Sequence, residues 1–329
     1  MGYFLYTIAY LGVDLFAIVS GFVGFSNDFN KKTIRKRWSK FLVLWIQVVL
    51  YSLIISLVFS LVMDINFKTN IIKSFFPVSL ETYWYFTAYF WLVALMPCLD
   101  YVIQKIDGMY YFVFLIVGYI ILLFSHTING MFSILLLIYL YCVGAIIRKS
   151  QIYNNTNMLK HIVTIIILLI FSWGWKIFFG LNHLDSISNL VLRYDSPLII
   201  IASTFLVIVF AKIRINNNII IKLISIFSKS SFSVYLLNDH PLVREYIISK
   251  AHNIVLKDSG LLMICLIILL AVVFYLFVVL VDNIRIILFN LCKVKNICDK
   301  IIDLCIKIIN KISLVLKKYI SIIFVVLIS

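Results

Sequence analysis

Apolar residues run along this chain in stretches of about twenty, separated by short polar segments rich in Lys, Arg and Asn. A helix needs about 17–25 apolar residues to cross a bilayer core. Nine segments fit that template, near 4–26, 41–62, 82–104, 110–125, 131–147, 162–180, 196–211, 230–249 and 260–283. The eighth is the weakest, because Asn238-Asp239-His240-Pro241 interrupts it. The polar stretches 148–160 and 212–229 read as loops. From Arg285 onward, Lys300, Lys307, Lys311, Lys317 and Lys318 alternate with Ile and Leu at helical spacing. That pattern predicts a basic amphipathic helix on a membrane surface. The expected organisation is therefore a transmembrane domain over 1–284 and a basic tail over 285–329.

Composition supports the same picture. The chain is 64% hydrophobic and 13% charged, with a mean hydropathy of +1.09. A soluble domain carries about 45–50% apolar and 25% charged residues. Only helices and closed barrels satisfy every backbone polar group in lipid, and long uniformly apolar runs exclude the barrel. The predicted fold class is all-α, a polytopic membrane bundle of about nine helices.

The net charge of +15 raises the question of nucleic acid, and its distribution answers it. Placing 27–40 in the cytoplasm gathers 22 of the 29 Lys and Arg there. Five remain opposite (Lys68, Lys73, Arg193, Lys250, Lys257), and Lys176 and Arg244 stay within spans. The asymmetry follows the positive-inside rule, so the surplus charge faces anionic lipid and no nucleic-acid partner is needed. It puts the C-terminus in the cytoplasm and Met1 outside, which leads to the expectation of a further helix ahead of residue 1. The six cysteines form no Cys-x-x-Cys pair and read as small buried hydrophobes, with neither a metal site nor a disulfide framework.

Several polar residues interrupt the apolar pattern. Asp14 lies within Gly12–Gly24, and a carboxylate at bilayer depth costs roughly 2.5–3.5 kcal/mol. Either it lines a cavity or functional site, or it sits near a helix end and reaches the headgroups. Ser20 and Gly21 permit close helix packing. His240 has Asp239 beside it and Arg244 four residues on, and the two would share a helix face if the helix continues past Pro241. This cluster reads as a substrate cavity or as a Pro-broken helix whose side chains satisfy freed backbone groups. Tyr83, Trp84, Tyr85 and Tyr89 open the third span, as an interfacial belt or as stacking faces for sugar rings. Glu81 beside them reads as a cap or a proton acceptor. Lys176 is expected to snorkel to the outer interface. His126, His161, His183 and His252 read as turn, interfacial or solvated residues.

Four segments resemble a known family. Gly12-Val13-Asp14-Leu15-Phe16 followed by Ser20-Gly21-Phe22 is similar to the V-D-L-F-F-x-x-S-G-F signature of the membrane acyltransferase-3 family. Tyr83-Trp84-Tyr85-Phe86-Thr87-Ala88-Tyr89 with Met96-Pro97 resembles its W-F-x-x-x-Y…P stretch. Tyr139 to Arg148 resembles the Y-x-x-G-A-x-I-R segment of its polysaccharide-modifying branch. Ser231 to Pro241 resembles S-F-x-x-Y-L-x-H-x-x-P, with Asn238 at the usual histidine position and His240 two residues later. The family's first helix, which carries an arginine and a histidine about ten residues apart, has no counterpart in this sequence.

The resemblance implies acyl transfer, usually of acetyl, from cytoplasmic acyl-CoA to a sugar hydroxyl of a surface or capsular polysaccharide or lipid-linked oligosaccharide. It implies a bacterial plasma-membrane location and no permanently bound cofactor. His240, Asp239 and Asp14 are then the candidate catalytic groups. Arg35, Lys36, Arg37 and Lys40 are the candidate donor-binding residues, since Arg forks pair with phosphate oxygens and Lys adds point charge. The same basic run also serves as a topogenic cluster. Trp84, Tyr85, Tyr89 and Arg244 are candidates for the acceptor. Two other readings stay open: a transporter of polysaccharide or acyl groups without chemistry, and an inactive remnant of the enzyme.

Overall fold

The computed structural model describes residues 2–328 apart from 29, 64–66, 81, 126–131, 192 and 252–259. Its order is α1 (Gly2–Gly24), α2 (Lys31–Met63), α3 (Phe67–Phe75), α4 (Trp84–Lys105), α5 (Tyr110–Phe124) and α6 (Phe132–Ser150). It continues with α7 (Met158–Leu181), α8 (Asp185–Asn189), α9 (Pro197–Lys212), α10 (Asn218–Asp239) and α11 (Pro241–Val243). A π-helical turn (Arg244–Ile248) follows, then α12 (Leu261–Leu291) and α13 (Val294–Ile328). Among the described residues, seven helices are long and apolar enough to cross a membrane, and α5 and α9 are shorter apolar helices. The chain is an all-α polytopic membrane bundle.

Three expectations are corrected. The eighth span lies at 218–239 and not at 230–249. Asn217 starts it early, its side chain accepting from the N–H groups of Ile219 (2.9 Å) and Ile220 (3.4 Å), so much of the expected 212–229 loop is helix. Pro241 stops it, and His240 takes the extended ψ of 129° that a residue before proline favours. His240 and Arg244 therefore share no helix face: His240 is 3% exposed, whereas the Arg244 side chain is 65% exposed. The third correction concerns Lys176. It is buried, and its Nζ donates to Ser188 Oγ (3.0 Å) and Asn189 Oδ1 (2.6 Å). A nearby acceptor pair ends the need to snorkel. After α12 the chain turns at Lys293 in the left-handed region (φ 49°).

One end of the bundle is basic and tightly tied. Arg37 on α2 donates to the Gly24 carbonyl (2.7 Å) and pairs with the buried carboxylate of Asp100 on α4. Asp100 also accepts from the Tyr141 hydroxyl of α6 (2.8 Å), so one carboxylate joins α2, α4 and α6. Lys149 on α6 closes the C-terminus of α4, donating to the carbonyls of Ile103, Gln104 and Ile106. They lie at the C-terminal end of α4, where the helix dipole is negative, which suits a cation. Lys149 also donates to Asp107 (2.8 Å) and holds that carboxyl below the usual carboxylate range. On α13, Asp303 pairs with Arg35 and Asp299 accepts from Ser39, so α13 packs antiparallel along the first turns of α2.

α1 and α6 pack backbone to backbone, as Gly21 suggested. A Cβ on Gly21 would overlap the Tyr141 carbonyl, and one on Gly144 would overlap the Ile18 carbonyl. Ser20 instead donates to its own helix at Phe16 (2.8 Å). Because both obstacles are backbone, Gly144→Ala is expected to push the helices apart and cost about 1–3 kcal/mol. Thermal unfolding in nanodiscs checks this, with Gly12→Ala as control because nothing lies within 4 Å of that position. Equal midpoints for the two variants would refute the close approach.

Candidate active site

α1 is apolar apart from a few positions, and its one carboxylate faces inward. Asp14 is fully buried, and neither oxygen has a hydrogen-bond partner among the described residues. Tyr10 sits one turn away on the same helix face, its ring edge-on to Tyr194 at 4.6 Å. Tyr194 lies on Trp84 (5.5 Å), Trp84 meets Tyr85 (5.6 Å), and Tyr85 meets Tyr235 (5.8 Å). Tyr235 then contacts Tyr83 (6.0 Å), which lies edge-on to His240 (5.9 Å). An aromatic wall therefore connects α1, α4, the segment before α9, and α10. Tyr85 and Asp195 lie within electrostatic range of Asp14.

Open polar atoms gather along this wall. The hydroxyls of Tyr83, Thr87 and Tyr235 are buried and close no hydrogen bond among the described residues, although Ser52 lies near Tyr83 and Asp239 near Tyr235. A buried polar group without a partner costs about 1–3 kcal/mol, so several together mark a place that receives a ligand or water.

His240 is differently placed. Its Nδ1 accepts from the Leu242 N–H (3.2 Å), capping α11. In the neutral ring the proton is then on Nε2, which lies 3.4 Å from Ser52 Oγ. Ser52 donates to Ser74 (2.9 Å), and Ser74 donates to the Asn70 carbonyl (2.8 Å). All the protons run one way, so the imidazole keeps no lone pair for a substrate proton. Asp14 keeps four. Asp14 thus shares a helix face with Tyr10, from which the wall leads through Tyr194 to Trp84 and Tyr85, and His240 joins it through Tyr83.

Asp239 and Arg244 form a second rim. They face each other at 3.5 Å and line a cleft of ≈ 520 Å³ with Thr82, Trp84, Pro241 and Glu245. Tyr89 lies deeper, against Phe41 (6.3 Å). The donor candidates lie at the basic end. Arg37 and Arg35 have carboxylate partners, whereas Lys36 and Lys40 are exposed. Gly24, which Arg37 touches, is ten residues from Asp14, or about 15 Å of helix. Glu81, His126 and His252 lie outside the described residues. His161 stacks on Phe205 at 4.8 Å.

Sequence reading gave no role to Tyr10 and Tyr194, or to Tyr235 beyond its place in the Ser231–Pro241 segment, because nothing else local separates a wall-forming tyrosine from an interfacial one. Tyr10 had one available signal, its four-residue spacing from Asp14.

The profile of a family described as an acyltransferase domain matches residues 1–283. No curated protein and no solved structure shows significant similarity to the chain. With a buried open carboxylate inside a membrane bundle and a match over most of its length, the chain belongs to the acyltransferase-3 family.

Proposed function

We propose that this membrane acyltransferase moves an acyl group, acetyl in the simplest case, from acyl-CoA to a sugar hydroxyl of a cell-surface or capsular polysaccharide. The acceptor is presented free or as a lipid-linked oligosaccharide, and the membrane is a bacterial plasma membrane with the basic end and the C-terminus in the cytoplasm. The observation that carries the reading is Asp14, whose carboxylate is buried and unpartnered beside an aromatic wall.

The chemistry follows from what an ester-forming step requires. Asp14 takes the proton of the acceptor hydroxyl as its oxygen attacks the thioester carbonyl carbon. The open hydroxyls of Tyr83 and Tyr235 supply donors for the oxyanion. Collapse breaks the C–S bond, and the CoA thiolate receives the proton held by Asp14. Trp84 and Tyr85 give the sugar ring a face to stack on, with Asp239 and Arg244 for its hydroxyls. At the basic end the donor's phosphates meet exposed Lys36 and Lys40, and Arg35 becomes available when Asp303 moves aside. Arg37 holds Asp100 and keeps that end assembled.

Proteoliposomes given radiolabelled acetyl-CoA on the basic side and a glycan acceptor on the other test this. Label covalently attached to the glycan is the expected result. Glycan that crosses the bilayer unlabelled would reject acyl transfer and leave a transporter.

A further inference from the structure

Glu245 gives the far-end cleft a carboxylate for which, among the described lining residues, no cation remains beyond the Arg244 that faces Asp239. The π-turn puts it there: the Ser249 N–H bonds to the Arg244 carbonyl, an i to i+5 link that inserts a residue into the turn. Such insertions re-aim side chains and are frequent at functional sites. Glu245 is exposed, lines the cleft, and has no side-chain partner among the described residues. The other charges nearly cancel. Arg244 and Asp239 stand 3.5 Å apart, loose enough that both keep hydrogen-bonding capacity for a third group. Thr82 Oγ1 donates only weakly to the Lys73 carbonyl, at 3.3 Å. Trp84 is held by Tyr85 and Tyr194, so its ring is a fixed surface.

We infer that this cleft accepts sugars that carry no negative charge, neutral or amine-bearing, and that Glu245 excludes uronate- and phosphate-bearing ones. The inference rests on the acceptor reading of the cleft and adds its specificity. A fixed aromatic face, a carboxylate–guanidinium pair and a hydroxyl match a pyranose ring with its equatorial hydroxyls. The uncompensated carboxylate then sets the sign. A second carboxylate a few ångströms away in a half-solvated cleft is repelled enough to weaken binding about tenfold, while an ammonium gains.

Equilibrium binding to the full-length chain in nanodiscs tests this with three tetramers: glucosamine, N-acetylglucosamine and galacturonate. The first two are expected to bind, and the galacturonate tetramer about tenfold more weakly, with the gap shrinking at high salt. Glu245→Gln closes the gap to within about twofold, and Glu245→Lys reverses it. Glu245 is on the surface, so these variants fold, and unchanged elution on size exclusion verifies it. Galacturonate binding as tightly as N-acetylglucosamine, or a gap that survives Glu245→Gln, overturns the inference and leaves the acceptor reading standing. Binding by none of the three overturns both.

Discussion

Asp282→Ala is expected to lower stability by about 3–5 kcal/mol, the cost of breaking a buried ion pair from one side. Asp282 is fully buried on α12, and one carboxylate gathers donors from three helices. Oδ1 accepts from Tyr51 on α2 (2.8 Å), from Ser233 on α10, and from Arg285 Nε (2.9 Å). Oδ2 accepts from Arg285 Nη2 (2.8 Å), and Gln47 donates to Ser233 (2.7 Å) behind it. Alanine leaves a largely buried guanidinium and two hydroxyls without this acceptor. Asp282→Leu combined with Arg285→Met removes both charges and is expected to cost less than the single change, because the penalty belongs to the stranded cation. Thermal unfolding of the three proteins in nanodiscs measures this. A double variant as unstable as Asp282→Ala would show that packing dominates, and the ion-pair account would fall.

The second large effect concerns Asp14, where function and stability should move apart. Asp14→Asn keeps the shape and removes the proton acceptor, so the transfer rate is expected to fall about a hundred- to ten-thousand-fold. Stability should hold or rise, by up to about 1–3 kcal/mol, since the native carboxylate is buried without a partner. Activity follows from the labelled acetyl transfer assay and stability from the unfolding midpoint. A structural carboxylate gives the opposite result, a lower midpoint with transfer retained once the protein folds.

Some of this was legible residue by residue. Asp14 stood out because a carboxylate in an apolar run is rare whatever surrounds it, and Trp84 and Tyr85 because aromatics clustered at a span start. Asp282 did not, since a span read as ending at 283 puts it at the interface, where an acid is ordinary. Its burial comes from Tyr51 and Ser233 on other helices and from Arg285 one turn on. His240 was noticed for its company, yet its two nitrogens are engaged by Leu242 next door and by Ser52, 188 positions away. The eighth span moved because Asn217 and Pro241 act on the helix ends, whereas hydropathy weighs only its middle.

From its residues alone, this chain is a helical membrane protein with its basic charge at one end. Lipid tests each segment separately, for length, hydropathy and internal hydrogen bonding, so those properties need no knowledge of the partners. Tertiary structure decided which polar groups are spent and which are open. Arg35 meets Asp303 across 268 positions and Arg37 meets Asp100 across 63, while Asp14 meets no partner among the described residues. Whether a buried charge is satisfied depends on side chains that only folding brings within about 3 Å, and no local pattern encodes that distance.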